Sequence, residues 1–157
     1  NENQKRISEF WNKVEEAVDK LKVDWHKVRI YQDGMPISGE LALKIVNDTA
    51  AKGSRNYQII KKLIEKGAAI EETESRELLL KEFEYVKQFV GATGEEKTKA
   101  IEEYEQAKDN LIQQRDDFIA QRIDHTLKDG ETGILFIGAH HNVRDKLPKD
   151  IKVKELE

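Results

Sequence analysis

Phe10, Trp11, Val14, Val18 and Leu21 recur at three- and four-residue spacing, which predicts an amphipathic helix over Ser8–Lys22 with Ser8 as its cap. Lys27–Tyr31 is short and rich in β-formers, and Asp33-Gly34-Met35-Pro36 stops it, as expected for a strand ending in a turn. Leu41, Ile45, Val46 and Ala50 predict a helix from Glu40 to Lys52, with Gly53 at the position of a left-handed C-terminal cap. Ser54 can cap the next helix, which carries Tyr57, Ile60, Leu63 and Ile64 as far as Gly67. Ala68–Glu71 reads as a second short strand.

Ser75 can cap a helix that places Leu78, Leu79, Phe83, Val86 and Val90 before Gly91. Thr93 and Glu96 have capping-box spacing, in which hydroxyl and carboxylate satisfy free backbone donors reciprocally. The helical pattern that follows runs about 34 residues to Lys128, or about 50 Å at 1.5 Å per residue. Such length implies either a protruding arm or a break near Asp109-Asn110. Its first half is sparsely apolar, which suggests a helical hairpin arm around 76–112. Gly133–Gly138 is apolar throughout, as expected of a central strand covered on both faces. Ile151–Leu156 alternates apolar and charged residues, as an edge strand would. Strands separated by helical crossovers predict a single α/β domain over 1–157, with a small mixed, partly parallel sheet of about four strands. Phe10, Trp11, Trp25 and Tyr57 are expected in the core.

Composition narrows the chemistry. The 157 residues include no cysteine, which excludes disulfides, thiolate metal sites and cysteine nucleophiles. Charged residues make up 37% and apolar residues 38%, with a net charge of -4, which fits helices with large solvated faces and offers no general field for nucleic acid. No apolar run reaches the roughly 20 residues of a membrane span. The expectation is therefore a soluble, cytoplasmic protein with no membrane partner.

In open α/β sheets, ligands bind beyond the carboxyl ends of the strands. Three polar clusters occupy such positions: Gln32, Asp33 and Gly34; Glu71, Glu72, Thr73 and Glu74; and Gly138 through Asn142, with His140 and His141. Parallel strands would gather them on one rim. Histidine can act as acid, base or metal ligand, and adjacent residues diverge, so one imidazole is expected to face the rim and the other to be structural or exposed. On the preceding helix, Arg115 and Arg122 fall inside the apolar arc of Leu111, Ile112, Phe118, Ile119 and Ile123. Inward arginines require a carboxylate or a bound anion: either a structural ion pair with Glu74 or Asp33, or a clamp for an anionic ligand. Ser54 and Asn56 open a helix whose free backbone donors could take an anion, although the segment has no P-loop lysine.

The segment Gln114-Arg115-Asp116 to Arg122-Ile123, followed by Gly133–His141, resembles the C-terminal motif region of the TraB/PrgY family and its ChaN and erythromycin-esterase-like relatives. There an Arg-bearing helix precedes an apolar strand ending in Gly-x-x-His. The resemblance implies that His141 corresponds to the family histidine, Gly138 to its glycine, Arg115 or Arg122 to the helix arginine, and Glu74 to a glutamate after an earlier strand. A second family Gly-x-x-His is replaced here by Tyr31-Gln32-Asp33-Gly34. Gln32 and Asp33 would then stand in as polar ligands, or the site would bind without catalysing. The implied function is a small-molecule- or peptide-binding domain, with hydrolysis as its reaction if it has one. His141 would serve as base or ligand, Glu74 as its partner, and Arg115 and Arg122 as clamps, and a divalent metal is left open. The alternative is a non-enzymatic interaction protein that uses the helical arm for a partner or a homodimer.

Overall fold

The computed structural model describes residues 1–156. Helix α1 (Glu2–Asp19) leads into strand β1 (Val28–Gln32), then α2 (Gly39–Ala51), α3 (Arg55–Glu65) and β2 (Ala69–Glu71). Helices α4 (Arg76–Val90) and α5 (Gly94–Thr126) precede β3 (Thr132–Phe136). The strands form one parallel sheet in the order β2-β1-β3.

The central strand is therefore β1, not the apolar β3. Position in the sheet follows from where each crossover returns, here with the β2-to-β3 connection passing over β1 to its other edge, and a fully apolar sequence does not specify it. Val28 and Ile30 are buried with Val46, Ile59, Ile60 and Leu63, whereas Tyr31 is buried with Ile119, Ala120, Ile123 and Val143. The α2–α3 and α5 crossovers thus cover opposite faces of the sheet, and β1 is buried on both. Each such side chain contributes about 1.5–3 kcal/mol on full burial.

The fourth strand expected at 151–156 is not formed. Ile151 packs beside Val143, but the residues after it are exposed and pair with no strand. Alternation marks a segment able to pair, whereas pairing needs a neighbour brought alongside. The sheet is accordingly wholly parallel rather than mixed.

Local caps are mixed in outcome. Ser54 Oγ accepts from Tyr57 N at 3.2 Å, and Ser75 Oγ accepts from Leu78 N at 3.3 Å, as their positions predict. Helix α1 is instead capped seven residues earlier than Ser8, by Asn1, which accepts from Gln4 N at 3.0 Å. Thr93 makes no side-chain cap bond, so the predicted capping box is not formed. Helix α5 runs unbroken through Asp109-Asn110 for 33 residues. Tyr104 of α5 packs between Tyr85 and Phe89 of α4, with ring centroids 6.2 and 5.8 Å away, and its hydroxyl donates to Glu82. Trp11, Trp25 and Tyr57 pack against the core, whereas Phe10 is 57% exposed on the projecting first half of α1. Among the described residues, no helix is long and apolar enough to cross a membrane.

Candidate functional site

The three strand-end loops are tied together by their backbones. Asp33 N donates to Phe136 O at 3.1 Å, joining the ends of β1 and β3. Thr73 N and Glu74 N both donate to Met35 O, while the buried Thr73 hydroxyl donates to Gln32 O and accepts from Met35 N. This second set joins the ends of β1 and β2. Gly34, at φ +83°, turns the first loop where L side chains are strained, and a Cβ there would lie 3.7 Å from Glu74 Oε2. Parallel strand order thus puts Asp33, Glu74 and the His140-His141 loop on one rim.

At that rim His141 is buried, its side chain 2% exposed. Its Nδ1 lies 2.5 Å from Asp116 Oδ1, and its Nε2 lies 3.5 Å from Asp33 Oδ2. Asp116 is also buried, and its Oδ2 accepts from Asn142 N at 2.7 Å. With both Asp116 oxygens acting as acceptors, the shared proton is assigned to Nδ1. That leaves Nε2 as the ring nitrogen nearer Asp33. The 3.5 Å between Nε2 and the Asp33 carboxylate leaves room for a shared proton or for a donor from a third group. Asp33 is one-third exposed, so that gap borders solvent.

Sequence reasoning paired His141 with Glu74. The structure pairs it with Asp116 and Asp33 instead, and Glu74 accepts from Arg115 at 3.2 Å. Helix α5 carries the reason: Asp116 lies one turn from Ile112 and Ile119 and two turns from Ile123, so it shares the buried arc and reaches the β3 loop. Glu74 lies nearer the β2 end, where Arg115 meets it. Asp116 is the candidate site residue that sequence reasoning missed. The signal lies in the sequence, since a carboxylate inside the apolar arc needs a buried partner.

The other candidates divide clearly. Arg115 is held by Glu74 and Glu82, each at 3.2 Å, and Arg122 by Glu71 at 3.5 Å and Glu72 at 3.8 Å. Both guanidiniums therefore have two carboxylate neighbours, the ion-pair arrangement rather than an open clamp. His140 is exposed, with its ring centroid 4.2 Å from that of His141. Gly138 leaves room for it, since a Cβ there would fall 2.9 Å from His140 Cε1. Gln32 is buried and donates to Asp33 O at 3.2 Å, while its Oε1 has no partner; Asn56 Nδ2 is likewise buried without one. Ser54 is occupied in capping α3. Tyr57, on the first turn of α3, is pushed above its ordinary pKa by burial and then by the charge of Asp33.

No group of three or more histidine, aspartate or glutamate side chains among the described residues is arranged to hold a metal. The arrangement has the groups for proton transfer: Asp116 fixes the orientation of an imidazole whose second nitrogen lies 3.5 Å from a neighbouring carboxylate. Compared with known proteins, the chain matches no family model, no curated protein and no solved structure.

Proposed function

We propose that this chain is a ligand-binding α/β domain whose site lies between the carboxyl ends of β1 and β3, and that its chemistry, if catalytic, is hydrolysis of the TraB/erythromycin-esterase-like kind. The observation that supports it best is the buried Asp116–His141 pair with Nε2 3.5 Å from Asp33 Oδ2. A hydroxyl, water or amide donor placed between Nε2 and Oδ2 would satisfy both acceptors. In a hydrolysis, His141 Nε2 would take the proton from the attacking water, Asp33 would orient that water, Asp116 would stabilise the resulting imidazolium, and the imidazolium would return the proton to the leaving alcohol or amine as the scissile ester or amide bond breaks. Buried triads of this kind gain from a pre-set tautomer, because no reorientation is needed during proton transfer. Gln32, with an unpartnered acceptor beside Asp33, would add a contact to a ligand donor. Arg115 and Glu74 would act as positioning residues, holding α5 against the β2 loop.

The test combines a panel of p-nitrophenyl esters and short peptides with thermal shift and hydrolysis measurements. Wild type should be stabilised by, or turn over, at least one member, and His141→Gln and Asp33→Asn should each remove that response. Asp33 is partly exposed, so its variant should retain the wild-type circular dichroism spectrum even if the His141 variant is destabilised. A wild-type response to no compound, or one that survives both substitutions, would sink the reading.

A further inference from the structure

The sheet has two edges, and they are unlike. Strand β2 spans three residues, and its Glu71 carboxylate is held by Arg29 at 3.3 Å and by Arg122 at 3.5 Å. Short length and charge are common protections of an edge against further pairing. Strand β3 has neither: Thr132–Phe136 contains no charge and no proline, and its register with β1 has no bulge.

The ladder shows which backbone groups of β3 are left over. Asp33 N donates to Phe136 O at 3.1 Å, so Phe136 turns its polar groups toward β1. In a parallel ladder the N–H and C=O of one residue point to the same side, and successive residues alternate. Ile134 therefore also faces β1, whereas Gly133 and Leu135 turn both groups outward. Among the described residues, no other backbone group bonds these four. Gly133 is exposed although a Cβ on it would lie 3.1 Å from Tyr31 and 3.6 Å from Leu127, so what solvent reaches is its backbone.

We propose that this edge binds an extended peptide segment as an added strand. A donor and an acceptor on every second residue, repeating at about 6.6 Å, match the backbone of an extended polypeptide. The side chains beside them, Thr132, Ile134 and Phe136, are uncharged, so the segment favoured is one of neutral β-branched or aromatic residues. Two other occupants match less well. Residues 152–156 of the chain are exposed, but Glu155 there is engaged by Arg144 at 3.2 Å. A second copy laid antiparallel across Ile134 would set its turn at 128–131 against residues 137–140, and the symmetry repeats that opposition at the other end. A free peptide carries no such turns. The inference concerns backbone groups outside the His141 site, and its failure would leave that reading unaffected.

Four hydrogen bonds of ordinary strength correspond to a Kd of about 1 mM, which suits NMR. The probe is a blocked peptide of alternating Thr and Val, N-methylated at every second residue so that it has one bonding edge and cannot pair with itself. In the free chain, amide exchange should be fast at Gly133 and Leu135 and slow at Ile134 and Phe136. At about 10 mM probe, roughly nine-tenths occupancy should slow Gly133 and Leu135 about tenfold. The same peptide N-methylated at every residue should have no effect. Leu135→Pro removes one outward N–H and no bond to β1, so it should abolish the response with an unchanged circular dichroism spectrum; if that variant fails to fold, the two peptides decide. Asp33→Asn should respond like wild type, whereas the ester panel reads the His141 site alone. No slowing by the probe, or equal slowing by the fully methylated peptide, overturns the proposal. So does slow exchange at Gly133 and Leu135 in the free chain, the result expected if the tail or a second copy already covers the edge.

Discussion

Replacing Asp116 by alanine tests the centre of the site most directly. The carboxylate accepts from His141 Nδ1 at 2.5 Å and from Asn142 N at 2.7 Å, and the residue is 2% exposed. Hydrogen bonds to a charged group contribute about 1.5–3 kcal/mol each, and a buried donor left without a partner costs about 1–3 kcal/mol. Removing the carboxylate also relieves its own desolvation, so a net loss of about 3 kcal/mol is expected, a sizeable part of the 5–15 kcal/mol available to a typical domain. At about 2–4 °C per kcal/mol for a chain of this size, the melting temperature should fall by about 6–12 °C. Urea denaturation of wild type, Asp116→Ala, His141→Ala and the double variant would separate the pair energy from the other losses. The two substitutions should be markedly less than additive, with a coupling above about 1 kcal/mol. Strict additivity, or a loss below about 0.5 kcal/mol for Asp116→Ala, would refute the argument that this carboxylate holds the histidine.

Two further predictions concern the neighbouring loop and the amino end of β3. Gly138→Ala places a methyl group 2.9 Å from the present position of His140 Cε1; since His140 is exposed, its ring should swing away at a cost below about 1 kcal/mol. Diethylpyrocarbonate should then modify His141 faster than in wild type, and an unchanged rate would show that His140 does not shield it. The Glu131 carboxyl is held below its ordinary value of 4.5 by its hydrogen bond from Arg29 Nε, at 2.7 Å, and then by the Lys128 backbone N–H. A carboxyl depressed by folding stabilises the native state fully above its unfolded value, and that contribution is lost as pH falls through the lower folded value. Glu131→Gln should therefore be less stable than wild type at pH 7, with a gap in urea midpoint that closes in acid; a gap independent of pH would contradict the assignment.

Periodicity alone made much of this chain legible. The helices around 40–52, 54–66 and 76–90, and the caps at Ser54 and Ser75, follow from apolar spacing and from hydroxyls at free helix ends, both local in origin. So do the three strands and the placement of polar clusters at their carboxyl ends. The fourth strand at 151–156 failed because alternation says which way side chains would point and nothing about whether a strand edge is at hand. The buried partner of His141 was misassigned for a related reason. Glu74 and Asp116 are both carboxylates at suitable places along the chain, and only the packing of α5 across β1 and β3 decides which one reaches the imidazole.

Composition and local pattern thus determined a cysteine-free α/β chain with histidines and carboxylates as its available chemistry. Tertiary structure decided which of those charges meet. It set Arg115 and Arg122 among carboxylates, His141 between Asp116 and Asp33, and β1 rather than β3 at the centre. The physical reason is that these choices depend on crossover geometry and on contacts between residues 25 or more positions apart, which no window of neighbouring residues encodes.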